Sequence, residues 1–223
     1  MEPTDAVRDH HDLPAPNHHA SHPGFSGMSG LVRAVAFLFG RDHAAQLAIE
    51  LSGLQPGERV VDVGCGPGVA ARRARDLGAD VIGVDPATVM LRVARLRRPA
   101  GRGIQWRIGS AESLPVDDDW AQVMWSLSTV HHWADVDRSL DEAARVLTPG
   151  GRLVVLERRI ADTEAAGVAS HGWTPEQSES FAEHCRRHGF TDVVVGSHAG
   201  ETTVLSVVAH RDGQIGSSSR RRT

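Results

Sequence analysis

The sequence predicts a doubly wound α/β domain built on a seven-stranded sheet, mostly parallel with an antiparallel last strand. Three observations predict it. Short β-branched runs alternate with helix-patterned stretches, the pattern of βαβ units and of a parallel sheet covered on both faces. Glycine and proline stand at the ends of the helix-patterned stretches. The last two runs are only about seven residues apart, whereas a parallel crossover needs about a dozen, so this pair closes antiparallel.

Taken in order, residues 60–63 form the first strand and 69–77 a helix ended by Gly78. Residues 81–85 are the second strand. Pro86 then falls where proline is tolerated, in the first turn of a helix reaching about residue 98. Residues 104–108 and 123–127 are strands three and four. A helix over 135–147 is stopped by Pro149-Gly150-Gly151, and 152–157 is strand five. A helix over 175–188 ends at Gly189, and 193–195 and 203–209 are the closing strands. The expected architecture is therefore Rossmann-like, with one domain over residues 25–211. Residues 1–24 carry His10, His11, His18, His19 and His22 but no apolar period, and read as a disordered, solvated arm. Residues 212–223 read as a second frayed tail.

Composition narrows the function. Of the 223 residues, 40% are hydrophobic and 23% charged, ordinary for a soluble globular chain. A net charge of −4 argues against the broad basic surface of a nucleic-acid binder. No apolar run reaches transmembrane length, and the polar start Met1-Glu2-Pro3-Thr4-Asp5 is no secretory signal. Cys65 and Cys185 lack metal-ligand partners at zinc spacing and suit a reducing cytoplasm. The expectation is a cytoplasmic protein with no nucleic-acid, membrane or metal partner. The sequence does not specify its oligomeric state.

Four motifs fall at the carboxyl ends of strands, where ligands bind in open parallel sheets. Asp62-Val63-Gly64-Cys65-Gly66-Pro67-Gly68 follows strand one and opens a helix. Its spacing is G-x-G-x-G, and the position where a dinucleotide loop repeats glycine holds Val69. Asp62 beside the loop disfavours a pyrophosphate, which seeks an uncontested helix N-terminus, and suits a cationic ligand. Asp85, ending strand two, stands 17 residues after Gly68, close to where a carboxylate accepts from ribose hydroxyls. It is equally placed to cap the helix that follows. Gly109-Ser110-Ala111-Glu112-Ser113-Leu114-Pro115 follows strand three. Ser126-Leu127-Ser128-Thr129-Val130-His131-His132-Trp133 follows strand four.

With Arg145-Val146-Leu147-Thr148-Pro149-Gly150-Gly151 added, this series resembles the class I S-adenosylmethionine-dependent methyltransferases, in particular the methyltransferase type 11 group. The resemblance covers roughly residues 45–160 and weakens toward 211. It implies that Asp62 and the backbone of Gly64, Cys65, Gly66 and Gly68 hold the methionine end of S-adenosyl-L-methionine. Asp85, with Pro86 beside it, would hold the ribose hydroxyls. Ala111 would meet adenine through its backbone with Glu112 nearby, and Ser126 would contact the methionine part. The family often has Asp where this chain has Ser110, so either Ser110 serves as a weaker adenine acceptor or Glu112 takes its place.

The implied reaction is methyl transfer to a small-molecule acceptor that the sequence does not name. The sulfonium is already activated, so the protein mainly aligns donor and acceptor. A base is needed only for a protonated acceptor. His132 and His131 are the candidates, His132 ahead because of neighbouring Trp133, and alignment without a base is the favoured outcome. An Asn-Pro-Pro-Tyr-type segment for amino acceptors is absent after strand four. Residues 25–40 and 160–173 are the segments able to cover an acceptor. A non-catalytic S-adenosylmethionine-binding or scaffold protein on the same fold is the alternative. A nicotinamide oxidoreductase is a more distant one, disfavoured by the loop spacing and Asp62.

Overall fold

The computed structural model describes residues 42–96, 104–161, 172–200 and 202–213. The expected 1–24 tail, nearly all of the 212–223 tail, the 25–40 segment and most of 160–173 lie outside the described residues. A seven-stranded sheet runs in the order β3-β2-β1-β4-β5-β7-β6, built from β1 (Arg59–Val63), β2 (Asp80–Asp85), β3 (Ile104–Ile108), β4 (Ala121–Leu127), β5 (Leu147–Arg158), β6 (Phe190–His198) and β7 (Val204–Arg211). β1 to β5 pair in parallel, and β7 is inserted antiparallel between β5 and β6, as the short final connection requires. The order reverses between β1 and β4, which places the switch point between them.

Alternation along each strand assigns residues to two cores. Val60, Val81, Val123, Trp125, Leu127, Val154 and Leu156 pack with helices α1 (Asp42–Ser52) and α2 (Val69–Asp76). Val61, Val63, Ile82, Val84, Met124, Leu153 and Val155 pack on the other face. There they meet Leu140 and Ala143 of α4 (Val136–Val146) and Phe181 and Ala182 of α5 (Pro175–Arg187). Helix α3 (Thr88–Leu96) follows β2.

Two boundaries differ from expectation. Helix α3 begins at Thr88, not Pro86, because the Asp85 carboxylate first turns the chain by accepting from the Ala87 amide at 2.8 Å. Strand β5 begins at Leu147, not residue 152, so Pro149-Gly150-Gly151 lies inside it and does not precede it. Leu147 pairs with Ala121, the Thr148 hydroxyl donates to the Ala121 carbonyl at 3.2 Å, and the register then shifts so that Val123 meets Arg152. Gly150, at φ +75°, supplies the bulge that absorbs the extra residues. Helix α4 begins at Val136, one residue later than expected, with Asp135 as its cap, the side chain accepting from the Arg138 amide.

Candidate functional site

The three loop glycines alternate with ordinary residues, and all are left-handed, at φ +68°, +52° and +76° for Gly64, Gly66 and Gly68. That backbone folds the chain back under β2: the Gly64 and Cys65 amides donate to the Val84 carbonyl at 2.8 and 3.0 Å. Two glycines also make room. A Cβ on Gly64 would stand 2.5 Å from Cγ2 of Thr129, and one on Gly68 2.2 Å from the Trp106 ring.

Asp62 shares the strand face of Val60 and therefore points to α2. It is 2% exposed, and its Oδ2 accepts from the Ala71 amide at 3.1 Å, in the first turn of that helix. The positive end of the helix is thus already met by a carboxylate. Asp85 lies on the same face, since β1 and β2 pair Asp62 with Gly83. Its Oδ2 accepts from the Gly66 amide at 2.8 Å while Oδ1 accepts from the Ala87 amide at 2.8 Å, so one carboxylate joins the glycine loop to the turn ahead of α3. Beside the loop lies a depression lined by Ala44, Asp62, Cys65, Val69, Ala70, Leu127 and Ser128. Among these described residues Asp62 is the charged one. An acid against apolar walls fits a ligand that combines a cation with apolar groups, and it repels a phosphate.

The segment after β4 is arranged differently from expectation. Register pairs Asp62 with Trp125, so Ser126 falls on the opposite face. It is fully buried, and its hydroxyl bonds that of Thr129. The residues of this strand end that reach the depression are Leu127 and Ser128, the latter held at φ +57°. A non-glycine residue in that conformation is often found at functional loops.

The loop after β3 is tied down. Ala111 is buried, and Ser110 and Ser113 form a small bridge. Glu142 accepts from the Leu114 amide at 2.7 Å, and Arg145 donates to the Leu114 and Val116 carbonyls at 3.0 and 2.8 Å. The hydrogen bond from Arg145 holds the Glu142 carboxyl below its ordinary range. Glu112 turns toward α4, where Oε1 accepts from Ala134 at 2.7 Å and Asp135 at 3.4 Å. That position serves a structural cap rather than the acceptor that Ser110 lacks.

Val130–His132 form a single 3₁₀ turn, with the His131 and His132 rings 4.0 Å apart. Trp133 is 8% exposed and packs edge-on to Phe181 in the core, so it shapes this turn from below. Sequence reasoning missed Glu157. This carboxylate ends the apolar run of β5 on the face of Leu153 and Val155 and is fully buried. Its Oε1 accepts from the Val130 and His131 amides at 2.8 and 3.4 Å, and its Oε2 lies 2.9 Å from His131 Nδ1. The available signal was a lone acid closing a strand that is otherwise buried and apolar. Among the described residues no group of three or more His, Cys, Asp or Glu side chains is arranged to hold a metal.

A family model described as a methyltransferase domain matches residues 61–155. The chain is 31% identical over 161 residues to a ubiquinone biosynthesis O-methyltransferase of Chelativorans sp., covering 68% of this chain and 60% of that one. It is 36% identical over 115 residues to a demethylmenaquinone methyltransferase of Tropheryma whipplei, covering 52% and 48%. The chain thus spans about half to three fifths of these curated relatives. Among solved structures, an S-adenosylmethionine-dependent methyltransferase from Mesorhizobium loti superposes with a TM-score of 0.64 at 22% identity, covering 77% of this chain and all of that one. A chain of the complex between the Haloferax volcanii Trm112 methyltransferase activator and a methyltransferase gives 0.71 at 23% identity, covering 83% and 96%.

Proposed function

The chain belongs to the class I S-adenosylmethionine-dependent methyltransferases, and from that premise we propose that it moves the methyl group of S-adenosyl-L-methionine to a small-molecule acceptor. The observation that carries this reading is Asp62. Its carboxylate occupies the helix N-terminus that a dinucleotide's pyrophosphate would need, at the edge of a depression with otherwise neutral walls. A ligand with an ammonium and a sulfonium and no phosphate matches that charge. In this reading Asp62 and the Gly64–Gly68 backbone hold the methionine end, and Asp85, beside Pro86, holds the ribose hydroxyls. Ala111 meets adenine through its backbone. Bound there, the sulfonium supplies an activated methyl carbon. The chain's own task is to align the acceptor and keep water away.

A small acceptor is supported by the two curated relatives, both named for quinone biosynthesis or a quinone precursor. Cys65 and Cys185 are both buried, and two cysteines make no disulfide framework, which suits a reducing cytoplasm.

Calorimetry with S-adenosylmethionine, S-adenosylhomocysteine and NAD tests the reading. The first two are expected to bind and NAD is not. NAD binding tighter than S-adenosylmethionine overturns it. Labelled methyl transfer into a pooled metabolite extract then separates an enzyme from a non-catalytic binder on the same fold.

A further inference from the structure

We propose that Glu157 positions His131 to take the proton of a hydroxyl-bearing methyl acceptor at the carboxyl end of β4; this rests on the methyltransferase reading above. A fully buried carboxylate is costly to keep charged unless its oxygens are met. Among the described residues, the hydrogen-bond partners of Glu157 lie on the turn that follows β4. Oε1 holds the Val130 and His131 amides, and Oε2 stands 2.9 Å from His131 Nδ1. One carboxylate therefore fixes both the backbone and the ring of the same histidine.

An ionised carboxylate only accepts, so the ring must present Nδ1–H to it. The lone pair of the neutral imidazole then lies on Nε2, the nitrogen turned away from Glu157. Buried Glu157 also stabilises the imidazolium that forms if Nε2 takes a proton, as a buried acid does for a catalytic histidine elsewhere. Because Glu157 meets the ring of His131, this geometry favours His131 over the His132 preferred from sequence.

A built proton acceptor points to an acceptor class. A neutral amine attacks with its lone pair and sheds its proton afterward, whereas a phenol or enol hydroxyl is a poor nucleophile until its proton leaves. In the step proposed, the acceptor O–H bond breaks and its proton passes to His131 Nε2. The oxygen's electron pair forms the O–CH₃ bond, and the carbon–sulfur bond breaks with its pair staying on sulfur as a neutral thioether. The imidazolium releases its proton to solvent after the product leaves.

Glu157→Gln is the discriminating variant. Its amide oxygen still accepts from Val130, but its NH₂ donates to Nδ1 and so imposes the opposite tautomer, Nε2–H. With S-adenosylhomocysteine bound, nitrogen NMR of the wild type is expected to show His131 as Nδ1–H and the variant as Nε2–H. The same complexes are then titrated with 4-nitrocatechol, whose colour reports its ionisation. Wild type is expected to bind it as the phenolate, with at least a tenfold loss of that signal in Glu157→Gln. His131→Ala, which leaves Glu157 in place, loses the signal too and serves if the first variant does not fold. S-adenosylhomocysteine affinity stays within about twofold in both. An Nε2–H tautomer in wild type overturns the proposal, as does a probe that stays protonated or unbound, or an unchanged signal in the variants. Failure of S-adenosylhomocysteine to bind wild type strikes the methyltransferase reading instead, and the tautomer of the unliganded protein still tests the pair.

Discussion

Asp85 is joined to the glycine loop: its carboxylate accepts from the Gly66 amide at 2.8 Å while also holding Ala87. The residue proposed to grip ribose therefore also fixes the loop under which the cofactor would lie. Asp85→Ala is expected to weaken S-adenosylhomocysteine binding about ten- to a hundredfold, because charge-assisted hydrogen bonds are worth about 1.5–3 kcal/mol each. It is also expected to lower the melting temperature by several degrees, since a buried amide loses its partner. Calorimetry and thermal melts of one preparation check both. Lost affinity with an unchanged melting temperature contradicts the loop-fixing role.

Gly64 faces Thr129 across the switch point. Alanine there meets two penalties, a left-handed backbone costing about 1–2 kcal/mol and a Cβ 2.5 Å from Thr129 Cγ2. Gly64→Ala is expected to destabilise by more than the backbone penalty alone. Thr129→Ser, which removes that methyl and keeps the hydroxyl, is expected to restore part of the loss. Denaturation of the four proteins in this cycle reads the coupling directly. Simple additivity would show that the contact carries no energy.

The loop bearing Ala111 depends on Glu142 and Arg145. Because the Arg145 hydrogen bond holds the Glu142 carboxyl below its ordinary value of 4.5, the folded state binds fewer protons than the unfolded one. That contribution is complete above about pH 4.5 and is lost as pH falls through the lower folded value. Glu142→Gln is expected to cost about 1–2 kcal/mol at pH 7 through its weakened bonds to Leu114 and Arg145. The two proteins should converge toward pH 3. Urea midpoints across this range measure it, and parallel curves at all pH values would refute the assignment.

Local signals made the frame of this protein readable. The β-branched runs, glycine stops and short last connection specified strand order in sequence and the antiparallel insertion. The positions of Asp62 and Asp85 at strand ends followed from the same pattern. What escaped is long-range or depends on parity. Leu147 joins the sheet because Ala121, 26 positions earlier, offers a partner, and no local pattern reports that. Ser126 was read toward the cofactor, yet period-2 alternation from Trp125, which pairs with Asp62, puts it on the other face. His131 and Glu157 are 26 residues apart. Their meeting needs β4 and β5 to be neighbours, a fact of topology rather than of composition.

Asp62 gives the sharpest test of what the depression recognises. Asparagine at this position keeps an oxygen for the Ala71 amide, so the helix stays capped, but it removes the buried charge. If that charge selects a cation, Asp62→Asn is expected to weaken ligand binding about tenfold with the fold intact. The pattern across ligands identifies the group being read. S-adenosylmethionine and S-adenosylhomocysteine share the ammonium, and only the first has a sulfonium. Equal losses mean that Asp62 meets the ammonium, and a larger loss for S-adenosylmethionine means that it also senses the sulfonium. Pyrophosphate supplies the converse arm. With the carboxylate gone, the α2 N-terminus is an anion site again, and weak pyrophosphate binding absent in wild type is expected to appear. Calorimetry with the three ligands decides it. Unchanged affinities throughout would leave Asp62 as a helix cap alone and remove the electrostatic basis for preferring this cofactor over a dinucleotide.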